Sequence, residues 1–300
     1  MPQDTRPWHW AYLGIGLVWG CSFLFIKVSL DFLTPVGVAF MRCLLGATTL
    51  LIVARVGGHS LPRQRAVWWH LWIVALCLNV VPGVLFALAE SRTTSVLAGI
   101  INGITPLTAL FFIAVVFRDE PVATHQLVGL GIGLVGVVTV LGVWRGLGTN
   151  PWWAVAALLV AVTLYGVAFP YTRRHLTPLG LSHVSLASAQ VIVATLTLLP
   201  LFLVDGLNGH GATTRGVAGI VCLGVFASGF AYIWNFRVIH AAGSSIASTV
   251  TYLTPVVAVV VGVLFLREPL SWFEPVGGAI VLLGAAIGQG RIRLPQTLRS

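Results

Sequence analysis

Apolar runs follow one another along almost the whole chain, broken only by short clusters of Arg, Pro, Gly and Asn. A bilayer hydrocarbon core takes roughly 20 apolar helical residues per crossing. The runs predict membrane helices over 10–30, 36–55, 68–89, 95–117, 123–143, 151–171, 181–204, 216–237, 245–266 and 272–290. The longest connections, 56–67 and 205–215, are too short to hold a soluble catalytic domain. The expected class is an all-α polytopic membrane protein with ten transmembrane helices.

The two halves of the chain resemble each other. Ser95, Ala98, Thr105 and Pro106 of the fourth run stand in register with Ser244, Ala247, Thr254 and Pro255 of the ninth. Downstream, Arg118-Asp119-Glu120-Pro121 answers Arg267-Glu268-Pro269, and the steps Glu120 to Gly129 to Gly136 and Glu268 to Gly277 to Gly284 are equal. A weaker echo joins Gly20, Phe23 and Lys27 to Gly166, Phe169 and Arg173. A duplicated unit of five crossings enters the second time from the opposite side, so the repeats are expected to be inverted, a usual architecture of secondary transporters. The expected division is a first five-helix repeat over 1–145, an inverted second over 146–292 and a cytoplasmic tail over 293–300.

Composition agrees. Of 300 residues, 57% are hydrophobic and 8% charged, a balance that makes lipid the solvent. Net charge is +9, yet the basic residues lie scattered between the runs, which leaves nucleic acid a poor partner. With the N-terminus inside, eleven basic residues face the cytoplasm (Arg6, Arg55, Arg63, Arg65, Arg118, Arg173, Arg174, Arg237, Arg291, Arg293 and Arg299) and five face outward (Lys27, Arg92, Arg145, Arg215 and Arg267). The positive-inside rule therefore predicts both termini cytoplasmic. Cys21, Cys43, Cys77 and Cys222 lie in apolar runs without metal-ligand spacing. Bulky Trp19, just before Cys21, suits neither signal-peptide cleavage nor lipidation, so the first run is read as a retained helix.

Trp19-Gly20-x-Ser22-Phe23-x-x-x-Lys27, then Pro35 and Arg42, both Thr-Pro elements and both Glu-Pro elements with their Gly-rich spans, make the chain resemble the EamA-type transporters of the drug/metabolite transporter superfamily. The resemblance covers nearly the whole chain. It implies a ten-helix fold of two inverted repeats in a bacterial inner membrane that exports amino acids or related metabolites, with no cofactor. It also implies a central cavity lined by the first, third, fourth, sixth, eighth and ninth spans. Glu90 departs from the pattern, since many relatives carry an aromatic or small residue there.

On those spans the candidate substrate-binding residues are Trp19, Phe23, Asn79, Phe86, Asn102, Thr105, Tyr165, Phe169, Trp234, Asn235, Ser248 and Tyr252. Aromatic faces suit apolar or cationic bodies, and buried amides and hydroxyls suit an ammonium and carboxylate pair. Ordinary packing and interhelical hydrogen bonding explain the same residues as readily. Trp8, Trp10, Trp68, Trp69, Trp152 and Trp153 near span ends read as interfacial belts.

Three ionisable residues are candidate charge contacts. Lys27, the single lysine, either attracts a substrate carboxylate or snorkels to the interface. Arg42 lies within a span, where a structural partnership, with Asp31 as candidate, weighs above substrate contact. For Glu90 a surface pair with Arg92 weighs above titration during transport. Glu120 and Glu268, each before a Pro, read as acids at helix starts, paired with Arg118 and Arg267. Pro82-Gly83, Thr105-Pro106, Pro170 and Thr254-Pro255 are candidate hinges, and the Gly-x-x-x-Gly spacings permit close helix packing.

The expected function is a secondary exporter of amino acids or related small metabolites working by alternating access, with proton exchange or facilitated diffusion as energy source. Drug efflux is the alternative. No Gly-x-x-x-x-Gly-Lys-Ser/Thr pattern exists for nucleotide-driven pumping. A membrane-embedded transferase needs clustered acids for metal or a paired nucleophile and base, and the eight acidic residues are scattered without an Asp-x-x-Asp motif. An enzyme is therefore not expected.

Overall fold

A computed structural model of the protein describes residues 8–118, 123–140, 144, 150–207, 210–288 and 292. Among them the chain is helical, with a lone backbone pairing between Leu33 and Leu207. In order run α1 (His9–Ser29), α2 (Pro35–Val56), α3 (Arg65–Glu90), α4 (Ser95–Phe117), α5 (Thr124–Val140), α6 (Trp152–His175) and α7 (His183–Asp205). A 53-residue helical run, Thr214–Leu266, follows. It turns at Gly243, whose φ of 88° and ψ of 169° are non-helical, and its limbs are labelled α8 (214–242) and α9 (244–266). The last helix is α10 (Phe273–Gly288). Seven of the described helical stretches are long and apolar enough to cross a bilayer.

Local chemistry sets several starts. Thr34 accepts a hydrogen bond from the Gly37 amide while Pro35 opens the first turn of α2. Thr94 and Thr213 cap α4 and α8 in the same way. Hydrophobic side chains such as Leu17, Ile52, Leu203 and Val204 point outward, as lipid-facing residues must.

Several structural features come in pairs, one in each half. The π-helical turns Ile113–Phe117 and Gly262–Leu266 close α4 and α9, and each is followed by an arginine in the left-handed region, Arg118 at φ 53° and Arg267 at φ 54°. Lys27 Nζ donates to the carbonyl oxygens of Glu90 (2.6 Å) and Thr93 (2.8 Å). Arg173, its partner in the sequence echo, donates to those of Ile239 and His240 (both 3.1 Å). Where α5 meets α10, Gly129 lies against Gly284 and Gly136 against Gly277. The contacts are reciprocal, each glycine meeting the counterpart of the other's position in the sequence echo.

The α5–α10 contact depends on the absence of side chains. A Cβ at Gly129 would strike the Gly284 carbonyl oxygen and lie 2.6 Å from the Gly288 amide nitrogen. Backbone cannot move aside as a flexible side chain can. Gly129→Ala is expected to cost about 1–3 kcal/mol, read as a lowered melting temperature of the purified protein in detergent. Unchanged melting would mean that these helices separate freely.

Glu268 does something the sequence did not suggest. Rather than capping its own helix or pairing with Arg267, its carboxylate accepts from the Ser95 amide (2.8 Å), the Ser95 hydroxyl (2.8 Å) and the Val96 amide (3.0 Å). It thereby caps α4 from the other half of the chain, meeting donors that a helix start leaves unsatisfied. Glu120 lies outside the described residues.

Candidate functional site

Three clusters of buried hydrophobic residues meet at Trp19 and Tyr165, which pack against all three. Between them lies a narrow cavity. The first helix contributes Trp19, Ser22, Phe23 and Ile26, spaced so that one face of α1 turns inward. Arg42 comes from α2, Leu78 and Phe86 from α3, and Asn102 from α4. Tyr165 and Phe169 of α6, Tyr232 of α8 and Thr251 of α9 complete the wall.

The rings form a chain around this space. Phe86 stacks on Tyr165 with centroids 5.7 Å apart, Phe23 leans on Phe86 at 5.7 Å, and Trp19 meets Tyr232 edge-on at 5.9 Å. Their polar tips are held by irregular backbone. A π-helical turn at Leu223–Phe230 in α8 presents the Ala227 carbonyl to Trp19 Nε1 (3.1 Å), and a second at Leu76–Val80 in α3 presents the Leu78 carbonyl to the Tyr232 hydroxyl (3.2 Å). Such turns free carbonyls from the helical ladder and recur at functional sites.

Arg42 is the single charged residue on the wall. Its Nε donates to the Ser228 hydroxyl at 2.9 Å, again on the α8 π-turn. Among the described residues no carboxylate forms an ion pair with it, and Asp31, the expected partner, is exposed beyond the end of α1. A guanidinium keeps its charge at any ordinary pH. The cavity therefore holds a fixed positive charge whose remaining N–H groups point to no protein anion.

Other candidates from the sequence have different places. Asn102 lines the cavity and donates to the Thr254 hydroxyl (2.9 Å), whereas Thr105 is buried behind it, donating to Asn102 Oδ1 at 3.5 Å. Asn79 is buried beside the cavity with its carbonyl occupied by Gln190 Nε2 (2.6 Å). Asn235 is buried off the wall. Trp234 packs against Trp10 at 5.6 Å and covers Gly14, away from the cavity. Ser248 and Tyr252 line a separate space near Pro106, Gly129 and Gly284. Apart from Asn102, these residues lie on helices that line the cavity but face away from it. Lys27 is spent on the two backbone carbonyls named above, so snorkelling does not describe it. Glu90 forms no surface pair with Arg92, because its carboxyl is fully buried while Arg92 is exposed.

Ser22, Ile26, Leu78 and Tyr232 were not foreseen. The signal was present for α1, where Trp19, Ser22, Phe23 and Ile26 stand at helical spacing on one face. Tyr232, three residues before Asn235, could have been found by the same test. Leu78 and Ser228 could not, since π-turns change which face a residue occupies.

Helices of this length and apolarity, seven of them long enough to cross a bilayer among the described residues, are those of a multi-pass membrane protein. The profile of the EamA-like transporter family matches residues 6–142 and again residues 152–287, and the chain belongs to that family. It is a transporter and not an enzyme. It is 25% identical to an "Uncharacterized transporter" of Archaeoglobus fulgidus, over 93% of this chain and 97% of that one. It is also 25% identical to the "Uncharacterized inner membrane transporter YedA" of Escherichia coli K12, over 98% and 94%, and to "Protein PecM" of Dickeya dadantii, over 91% and 89%. A solved structure titled only "Crystal structure of protein" superposes with a TM-score of 0.73 at 18% identity, covering 95% of this chain and 96% of that one, a likeness of fold.

Proposed function

We propose that this transporter is a secondary exporter of amino acids or related small metabolites that works by alternating access across two inverted five-helix repeats, 1–145 and 146–292, with 293–300 as a cytoplasmic tail. The double match of one family profile supports the duplication. Ten crossings follow if the Thr214–Leu266 run crosses twice by folding at Gly243, since 53 residues of straight helix would be far longer than a bilayer is thick. Five crossings per repeat invert the second copy, and the paired arginines and reciprocal glycine contacts fit that arrangement. The charge asymmetry between loops favours both termini in the cytoplasm, and the likeness to YedA, named an inner membrane transporter, favours a bacterial inner membrane.

One observation carries the substrate reading: Arg42, without a protein anion, in a cavity walled by Trp19, Phe23, Phe86, Tyr165, Phe169 and Tyr232. A desolvated guanidinium binds carboxylate as a bidentate fork, and the rings suit an apolar or aromatic body beyond it. Asn102 and Thr251 offer acceptors for the ammonium group. Drug efflux is the weaker reading, because a cationic drug would meet Arg42 in the same chamber.

Counterflow in proteoliposomes tests the proposal, with labelled aromatic, branched and polar amino acids supplied against an internal load of the unlabelled compound. Saturable accumulation of aromatic or branched amino acids is expected, and loss of it when the carboxylate is masked as an amide. Equal handling of the acid and the amide would remove Arg42 from substrate recognition.

A further inference from the structure

Glu90 stands at the end of α3, one turn beyond the cavity wall residue Phe86, and is 0% exposed. Among the described residues neither carboxylate oxygen has a hydrogen-bond partner. The nearest cation does not supply one. Lys27 Nζ gives two of its bonds to the carbonyl oxygens of Glu90 and Thr93, at 2.6 and 2.8 Å, and so bolts the end of α1 to the turn that leads into α4. Lys27 follows Ile26, another wall residue, so this bolt lies at one end of the chamber.

The charged and titratable groups whose electrostatic influence reaches Glu90 lie on several neighbouring elements. Lys27 lies on α1, Arg42 on α2 and Tyr165 on α6, and Glu268 approaches from the connection between α9 and α10. Two of these are basic side chains, one is a second acid, and among the described residues none donates a hydrogen bond to the carboxyl. An ionised carboxylate without a donor, out of reach of water, carries a large desolvation cost. Holding a proton removes that cost, and the closed arrangement therefore selects the neutral acid. The ionised form needs either water or the Lys27 ammonium. Water enters only if this end of the chamber opens, and Lys27 turns to the carboxylate only by releasing the carbonyls that hold it shut. Proton occupancy and closure are then the same equilibrium seen from two sides.

We propose that Glu90 is a proton-binding site of the transport cycle, occupied while the chamber is closed at the Lys27 end and emptied when that end opens. In the emptying step the carboxyl O–H bond breaks, the proton passes to water in the opened vestibule, and the carboxylate left behind is balanced by the Lys27 ammonium. Closing reverses the step, taking one proton from the same water. This rests on the transporter reading for its role in the cycle, while the proton site itself stands on the burial and bonding of Glu90.

Infrared difference spectra of the liposome-reconstituted protein, wild type minus Glu90→Gln, test the site without any substrate. A protonated-carboxyl carbonyl band present at acidic pH, absent from Glu90→Gln and replaced by carboxylate bands at alkaline pH, is the expected result. A band missing at every pH, or one that persists unchanged to alkaline pH, overturns the proposal. Counterflow tests the link to transport. The wild-type rate should change about tenfold or more between acidic and alkaline medium, and Glu90→Gln, fixed in the neutral form, should lose that dependence. Identical pH profiles in the two proteins overturn the link. If no amino acid is carried at all, the substrate reading fails, and the infrared result still decides the proton site.

Discussion

Arg42→Gln is expected to weaken saturable binding of an amino acid substrate by about 30-fold or more while leaving the protein folded. The glutamine amide can still donate to Ser228, so the α2–α8 contact survives, but the fixed positive charge of the chamber is gone. Truncating one partner of a buried, hydrogen-bonded charge pair typically costs 2–5 kcal/mol, which corresponds to an affinity lower by about 30-fold to several thousand-fold. Arg42→Lys should fall between, because an ammonium restores the charge without the planar fork. Binding to detergent-solubilised protein measures the effect, and the melting temperature without ligand checks the fold. An amide-masked substrate should bind wild type and Arg42→Gln equally weakly. If Arg42→Gln binds the free acid as tightly as wild type, Arg42 is a structural residue held by Ser228, and the cavity recognises its ligand by its rings alone.

Glu268→Ala is expected to cause the largest loss of stability. Its carboxylate takes two backbone amides and one hydroxyl at the start of α4, and the half in which it lies is not the half it caps. Each orphaned donor costs about 1–3 kcal/mol where water cannot replace the acceptor. Glu268 itself is partly exposed, so water recovers some of this, and a net loss of about 3 kcal/mol is expected. Glu268→Gln should lose less, keeping one oxygen acceptor but not the charge that favours a helix start. Thermal unfolding in detergent reads both variants. Equal melting of Glu268→Ala and wild type would show that Thr94, which already caps Leu97, suffices to hold the start of α4.

Much of the molecule was legible from the chain alone. Runs of apolar residues at membrane length located the helices to within a few residues: α1 runs over His9–Ser29 against an expected 10–30, and α2 over Pro35–Val56 against 36–55. The break between 237 and 245 was anticipated, and a helical run continuous but for Gly243 occupies it, because a single left-handed glycine suffices to turn the backbone. Among the candidate site residues, Trp19, Phe23, Phe86, Asn102, Tyr165 and Phe169 share one cavity. Trp234, Asn235, Ser248 and Tyr252 lie on cavity-lining helices and face elsewhere.

Apolar run length by itself pointed to a chain of membrane-length helices, and the order of Gly, Pro and Thr elements carried the resemblance to the EamA-like family whose profile matches both halves, since both are properties of the string. Three facts came only from the tertiary structure: Arg42 faces the chamber, Glu90 is sealed without a partner, and Glu268 reaches across to cap α4. Each depends on how far a helix is rotated about its own axis and where its neighbour's backbone lies. A span that is apolar on every side does not encode that rotation, because lipid and protein interior solvate its side chains almost equally well. Close packing of glycines, freed carbonyls at π-turns and the need to satisfy each buried polar group supply the missing information, and those are properties of the assembled helices.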